Sequence, residues 1–349
     1  MEQKIFMQRC LELAALGKGN VAPNPLVGAV LVVNNKIIGE GYHQHYGAAH
    51  AEVNAIAAVK DASLLKQATL YVNLEPCAHI GKTPPCADLV IASGIPKVVV
   101  AQLDPFEQVA GRGIEKMRTA GIDVQVGLLE AEAKWLNRRF LHFVQTKRPY
   151  VILKWAQTMS GYIAPHAHQM SAEAFEQQRH ITGLLVQKQV HKWRTEEAAI
   201  LVGRNTVETD NPALNARAWI GKHPLRIVVD RQLRLANHLK VFDGQTPTWV
   251  MNSVKSETLP NIEYVFFDEN ENWLNVLSTK MYQLGLQSLI IEGGAHILNH
   301  VIDSGLWQEA QVFYTPKHFS DGVPAPAIGG KLVDTFELDQ SIFKRYLNG

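Results

Sequence analysis

His50, Cys77 and Cys86 offer one imidazole and two thiolates, and Glu52 stands two residues after His50. That donor set suits zinc, whose catalytic sites take three protein ligands and keep a fourth position for water. Zinc lowers the pKa of such a water to about 7, which gives a hydroxide nucleophile at neutral pH. A neighbouring group must then carry the proton. Glu52, at the start of an expected helix, is close enough to do so without being a ligand. A closed structural site would need a fourth ligand. The remaining cysteine, Cys10, shares a helix face with Leu13 and reads as core. Three cysteines in 349 residues make no disulfide framework. Reduced thiols and a cytoplasmic location are the expectation.

The order H-x-E, then P-C, then a second Cys is the layout of zinc-dependent deaminases, in which the Glu is general acid/base. The reaction is attack on an amino-bearing ring carbon with loss of ammonia. The common spacing is P-C-x-x-C, but here Cys77 and Cys86 are nine apart. The residues between them include His79, Gly81, Lys82 and Thr83. Cationic donors, a hydroxyl and a flexible amide are phosphate-binding types. Taken singly, His79 is a surface histidine and Lys82 a solvated charge. Placed between two ligands, they point to a base or pyrimidine that carries a phosphate. Asn24, ahead of Pro25, reads either as a turn residue or as a substrate contact.

The elements that must hold these residues follow from periodicity. Helices are predicted over 2–16, 51–60, 87–93, 113–120 and, as one long element, 130–144. Strands are predicted over 28–33, 36–41, 68–74, 97–102 and 123–126. Thr146-Lys147-Arg148-Pro149 is a charged, proline-ended boundary. A second alternating series follows: strands near 150–156, 199–202, 226–229, 248–251, 264–267, 288–291 and 310–314, and helices near 185–194, 272–284 and 295–302. Residues 165–178 read as a loop or an irregular helix. Such alternation argues for two α/β domains.

Composition narrows the function classes. The chain is 46% hydrophobic and 19% charged, with a net charge of +1. Residues 1–146 carry 14 Lys+Arg against 13 Asp+Glu, which leaves 20 of each in 147–349 from totals of 34 and 33. No basic field is available for a nucleic acid. No apolar run reaches the roughly 18 residues of a membrane span, so neither nucleic acid nor membrane is an expected partner.

The second half is less explicit on its own residues. Ile290-Ile291-Glu292-Gly293-Gly294-Ala295 is an apolar strand running through glycines into a helix, where backbone amides can hold a phosphate. The bland alternative is a plain turn. Leu201-Val202-Gly203 is a second strand-to-glycine turn. Taken alone, Thr206 is a helix cap and Asp210 a loop acid.

The chain resembles the bifunctional deaminase/reductases of riboflavin biosynthesis. The resemblance rests on Ala22-Pro23-Asn24-Pro25-Leu26-Val27-Gly28, His50-Ala51-Glu52, and Glu75-Pro76-Cys77-Ala78-His79 through Gly81-Lys82-Thr83-Pro84-Pro85-Cys86. It continues through Lys154-Trp155-Ala156, Ile181-Thr182-Gly183, Asp210-Asn211-Pro212 and Glu292-Gly293-Gly294. It implies a cytidine-deaminase-like α/β/α domain over 1–146 and a dihydrofolate-reductase-like α/β domain over 147–349. One zinc would sit on His50, Cys77 and Cys86, with Glu52 as proton shuttle. Asn24, His79, Lys82 and Thr83 would contact substrate. NADPH would lie against Ala156, Thr206, Asp210, Gly293, Gly294 and Ala295. Arg194, Leu214, Arg217 and Glu292 would hold the second substrate, and Lys154 is the reductase's catalytic candidate. The resemblance also implies a homo-oligomer, a dimer or tetramer.

Three departures stand out. Ser160 replaces the family's usual Asp, His180 its frequent Trp, and Phe106-Glu107-Gln108 follows Asp104-Pro105 in place of asparagine-proline. The alternatives are a deaminase with a degenerate reductase, a nucleoside or tRNA deaminase, and a zinc-stabilised binding protein that senses NADPH or a flavin precursor.

Overall fold

The computed structural model describes residues 2–78, 84–105, 111–166 and 170–349. The chain divides into two compact units, Met1–Arg148 and Pro149–Gly349. Among the described residues no helix is long and apolar enough to cross a membrane.

In the first unit, helix α1 (Glu2–Ala15) precedes a hairpin of β1 (Gly28–Val33) and β2 (Lys36–Tyr42). Then come α2 (Ala51–Ala57), β3 (Thr69–Val72), α3 (Cys86–Ala92), β4 (Lys97–Val100), α4 (Arg112–Thr119) and β5 (Asp123–Val126). The sheet order is β2-β1-β3-β4-β5. Strand β1 is antiparallel to both neighbours, while β3, β4 and β5 run parallel. All six residues of β1, Gly-Ala-Val-Leu-Val-Val, are buried, because helices cover both faces. Val30 and Val32 pack with Phe6, Met7 and Leu11 of α1. Ala29, Leu31 and Val33 face Ala55, Val90 and Met117 of α2, α3 and α4. This is an α/β/α sandwich.

The expected single helix over 130–144 is instead two, α5 (Glu130–Leu136) and α6 (Arg138–Thr146). The break is at Asn137, which is buried and uses its amide on the loop that carries Asn24. Asn137 Oδ1 accepts from Leu26 N at 2.8 Å and its Nδ2 donates to Leu26 O at 2.9 Å. Asn73 grips the same strand entry, through Gly28 N and Leu26 O.

The second unit is built on a ten-stranded sheet. Its elements are β6 (Tyr150–Thr158), β7 (Tyr162–Ala164), α7 (Ala172–Arg179), α8 (Leu184–Glu196), β8 (Ala199–Gly203), α9 (Arg204–Asp210), β9 (Leu225–Val229) and β10 (Thr248–Asn252). They continue as β11 (Glu257–Leu259), β12 (Ile262–Phe266), α10 (Trp273–Gln283), β13 (Ser288–Ile291), α11 (Ala295–Asp303), β14 (Glu309–Thr315), β15 (Val323–Pro324), β16 (Lys331–Leu338) and β17 (Ser341–Leu347). The sheet order is β11-β12-β10-β9-β8-β13-β6-β14-β17-β16. From β12 through β14 the strands are parallel, and β17 and β16 close one edge antiparallel. Alternate residues of β6 feed two cores: Val151, Leu153 and Trp155 on one face, Tyr150 and Ile152 on the other.

Several elements depart from the sequence expectation. Thr206 and Asp210 both lie on α9, where a cap and a loop acid were expected. Of the stretch 165–178, read as a loop or an irregular helix, the part from Ala172 takes the helical alternative as α7, started by Ser171 Oγ, which accepts from Ala174 N. The β16–β17 hairpin has no counterpart in the sequence reading. Its turn residues, Asp339 and Gln340, take φ of 51° and 63°.

Candidate functional sites

In the first unit, α2 starts directly after His50, α3 starts at Cys86, and Cys77 lies in the loop after β3. The topology thereby brings three distant residues together: one ligand atom from each lies within 4.8 Å of the others. His50 Nδ1 is 3.2 Å from Cys86 Sγ and 3.7 Å from Cys77 Sγ. A tetrahedral zinc with bonds of about 2.1 Å to nitrogen and 2.3 Å to sulfur has N–S edges of about 3.6 Å. The constellation therefore fits that ion. The Cys77 sulfur accepts bonds from the Cys86 thiol, from His50 and from Cys86 N at 3.4 Å, which hold it down to about 4, while the partner thiol Cys86 is raised. Of the two cysteines only Cys86 stands at a helix start, that of α3.

Glu52 is 3% exposed in the first turn of α2. Burial pushes its carboxyl up to about 7, a value that lets a carboxyl both take and return a proton at neutral pH. Asn24 is half-buried, and its Nδ2 donates to His43 Nε2 at 3.1 Å. His79, Lys82, Thr83 and Phe106-Glu107-Gln108 lie outside the described residues.

Two side chains around this site escaped the sequence reading. His43 is buried, and its ring stands edge-on to that of His50, with centroids 5.3 Å apart. Glu75 is a buried carboxylate directly before Pro76-Cys77. It accepts from Gly111 N at 2.9 Å and Gly113 N at 3.0 Å, so it caps α4 and ties that helix to the Cys77 loop. The only signal for either was a polar residue beside a motif.

In the second unit, a cleft of about 1380 Å³ opens at the carboxyl ends of β6, β13, β8 and β9, where open parallel sheets bind ligands. Lys154, Ala156, Thr206, Asp210, Glu292, Gly293, Gly294 and Ala295 all line it. Gly293 and Gly294 take φ of 145° and 71° ahead of α11. A Cβ on Gly294 would stand 3.0 Å from Thr206 Oγ1. The bare glycine backbone, the Thr206 hydroxyl and the start of α11 together form a cradle that suits a pyrophosphate.

The wall beside this cradle is charged. Arg194 Nε and Nη2 meet Glu292 Oε1 and Oε2 at 2.8 and 2.7 Å, and Lys154 Nζ is 3.8 Å from Oε2. Burial pushes the Glu292 carboxyl up, but Arg194 and Lys154 outweigh it and hold it down to about 2. Burial lowers Lys154, with Glu292 opposing. Burial raises Asp210, although Arg179 lies 3.4 Å away. Burial and the neighbouring Arg194 lower His191 to about 4, and its Nδ1 has no partner among the described residues.

Arg194, Leu214 and Arg217 do not line the cleft, and Arg194 stands behind it against Glu292. Leu214 packs with Val207, Leu235 and Val241 at φ 51°, and the exposed Arg217 bonds Asn215 Oδ1. Asn215 O accepts from Arg194 Nη1 at 3.0 Å, which links that loop to the charged wall. Ser160 serves a turn. Its Oγ accepts from Phe319 N at 3.1 Å and lies 2.9 Å from Thr158 Oγ1. His180 lines the cleft and fixes Lys317 through its carbonyl.

Comparison with known proteins agrees with this geometry. Residues 149–343 match the RibD C-terminal domain, and residues 1–102 match the cytidine and deoxycytidylate deaminase zinc-binding region. The riboflavin biosynthesis protein RibD of Aquifex aeolicus is 39% identical over 337 residues, covering 95% of this chain and 92% of that protein. A diaminohydroxyphosphoribosylaminopyrimidine deaminase/5-amino-6-(5-phosphoribosylamino)uracil reductase from Thermotoga maritima superposes with a TM-score of 0.89 at 34% identity, covering 100% and 99% of the two chains. RibD of Acinetobacter baumannii gives 0.87 at 31% identity, with coverage of 100% and 99%. With zinc-ligand geometry in the first unit and a glycine cradle in the second, the chain belongs to the RibD family of bifunctional riboflavin biosynthesis enzymes, a zinc-binding deaminase domain followed by a reductase domain.

Proposed function

We propose that the first unit deaminates a diamino-hydroxy-ribosylaminopyrimidine phosphate and that the second reduces the ribosyl chain of the product to ribityl with NADPH. The observation that carries this reading is the pairing of a three-ligand site, with a buried carboxyl beside it, and a separate cleft that holds a glycine cradle and a charged wall.

His50, Cys77 and Cys86 would hold the zinc, which supplies Lewis acidity to activate water for attack on the amino-bearing carbon. Glu52 takes the proton from the incoming water and delivers it to the departing amino nitrogen. Its burial and raised carboxyl suit both transfers. Asn24 orients the pyrimidine, and His79, Lys82 and Thr83 hold the phosphate.

In the second unit NADPH supplies the hydride. Thr206, Asp210, Ala156 and the Gly293–Ala295 turn would seat it. Glu292, held by Arg194, orients the sugar. Lys154, which lines the cleft 3.8 Å from that carboxylate, would donate a proton as the ring opens. Arg194 and Arg217 supply the charge that a phosphate needs.

Separating the half-reactions tests the assignment. Glu52→Gln is expected to keep zinc and stop ammonia release, yet still reduce substrate that is already deaminated. Loss of both reactions, or of neither, contradicts it.

A further inference from the structure

We propose that His43 is a positioning residue of the deaminase site, one that orients the Asn24 amide so that its Oδ1 is the acceptor offered to the N–H edge of the pyrimidine. The proposal rests on the reading above that Asn24 touches substrate.

The hydrogen bonds fix the assignment step by step. His43 is 2% exposed, and its Nδ1 lies 3.0 Å from Ala49 O. A carbonyl only accepts, so Nδ1 carries the proton, and a neutral ring then leaves Nε2 as an acceptor. Asn24 Nδ2 lies 3.1 Å from that nitrogen. Only the NH2 half of an amide can donate there, so the ring decides which way the amide points. Asn24 Oδ1 takes no hydrogen bond from any described residue.

The backbone beneath is already held. Asn24 N donates to Val21 O at 2.9 Å, Leu26 is gripped by Asn137 and Asn73, and His43 N donates to Val27 O at 2.9 Å. Rotation of the Asn24 side chain is the freedom that remains, and His43 removes it. Because the His43 ring also stands against His50, the acceptor lies one ring away from the zinc ligands. A heterocycle edge with amino or ring N–H donors is complementary to it. An edge with a carbonyl at that point sets oxygen against oxygen.

A kinetic double-mutant cycle on the zinc-loaded full chain tests this. His43→Phe, Asn24→Ala and the double variant are compared by ammonia release from the diaminopyrimidine ribosyl phosphate, with zinc content measured for each. His43→Phe is expected to keep one zinc per chain and raise KM by roughly tenfold, with kcat less affected. In the Asn24→Ala background it is expected to add nothing. His43→Gln, whose carbonyl can accept from Asn24, is expected to recover most of the affinity, and it serves as the test if the Phe variant does not fold. Independent losses in the cycle, loss of zinc in a folded His43 variant, or unchanged kinetics overturns the proposal. An Asn24→Ala variant that behaves as the parent overturns instead the substrate contact on which it rests.

Discussion

Arg194 grips Glu292 through two parallel bonds of 2.8 and 2.7 Å, and both side chains are nearly buried. The fork geometry fixes the carboxylate in direction as well as position. Its folded-state value of about 2 lies below the ordinary carboxylate value of 4.5. A depressed carboxyl contributes stability that is fully present above its unfolded value and is lost as pH falls through the folded one. Glu292→Gln leaves buried cations without a counter-charge and is expected to cost about 3–5 kcal/mol at neutral pH. The gap to the parent is expected to narrow between pH values of roughly 4.5 and 2. Urea unfolding across that range checks it; a constant gap contradicts the assignment.

Gly113 has no room for a side chain. A Cβ there would stand 2.1 Å from Pro76 O, and the glycine's own N–H holds Glu75. Gly113→Ala must push the Cys77 loop. It is expected to destabilise by about 1–3 kcal/mol and to weaken zinc about 10-fold or more, as loss of support around a metal does. Chelator competition measures the second effect, and unchanged zinc affinity would count against the role given to this packing.

Gly294 combines a left-handed φ of 71° with a Cβ position 3.0 Å from Thr206 Oγ1. Gly294→Ala is expected to weaken NADPH binding by roughly tenfold and leave ammonia release intact. A fluorescence titration with NADPH reads the first and a coupled ammonia assay the second. Normal NADPH affinity would remove the cradle from the cofactor site.

Ser160, where the resemblance leads one to expect an Asp, acts as an acceptor for Phe319 N. Ser160→Asp keeps an acceptor there and is expected to preserve reduction. Ser160→Ala frees the turn and is expected to lower the kcat/KM of reduction by about 3–10-fold, the worth of one hydrogen bond. Equal activity in both variants would show that the turn does not need the bond.

How far the sequence reveals the molecule depends on how local each feature is. His50 with Glu52, and Pro76 with Cys77, are short motifs whose chemistry is explicit in their residue types. Arg194 and Glu292 are 98 residues apart, so their pairing is invisible to spacing; the resemblance named each only as a substrate contact. His43 and Glu75 act through backbone groups on other segments, Ala49 O and Gly111–Gly113 N–H, and no residue pattern announces such partners. The long helix over 130–144 failed for a similar reason, because Asn137 leaves the helix to bond Leu26. The β16–β17 hairpin was missed because Asp339-Gln340 makes a left-handed turn without the glycine that marks one.

The most direct measurement is the mass of the product formed from the diaminopyrimidine ribosyl phosphate by the zinc-loaded chain, with and without NADPH. The account predicts a deaminated ribosyl product without NADPH and its ribityl form with it. Recovery of unchanged substrate, or of a deaminated product that NADPH never reduces, would contradict it.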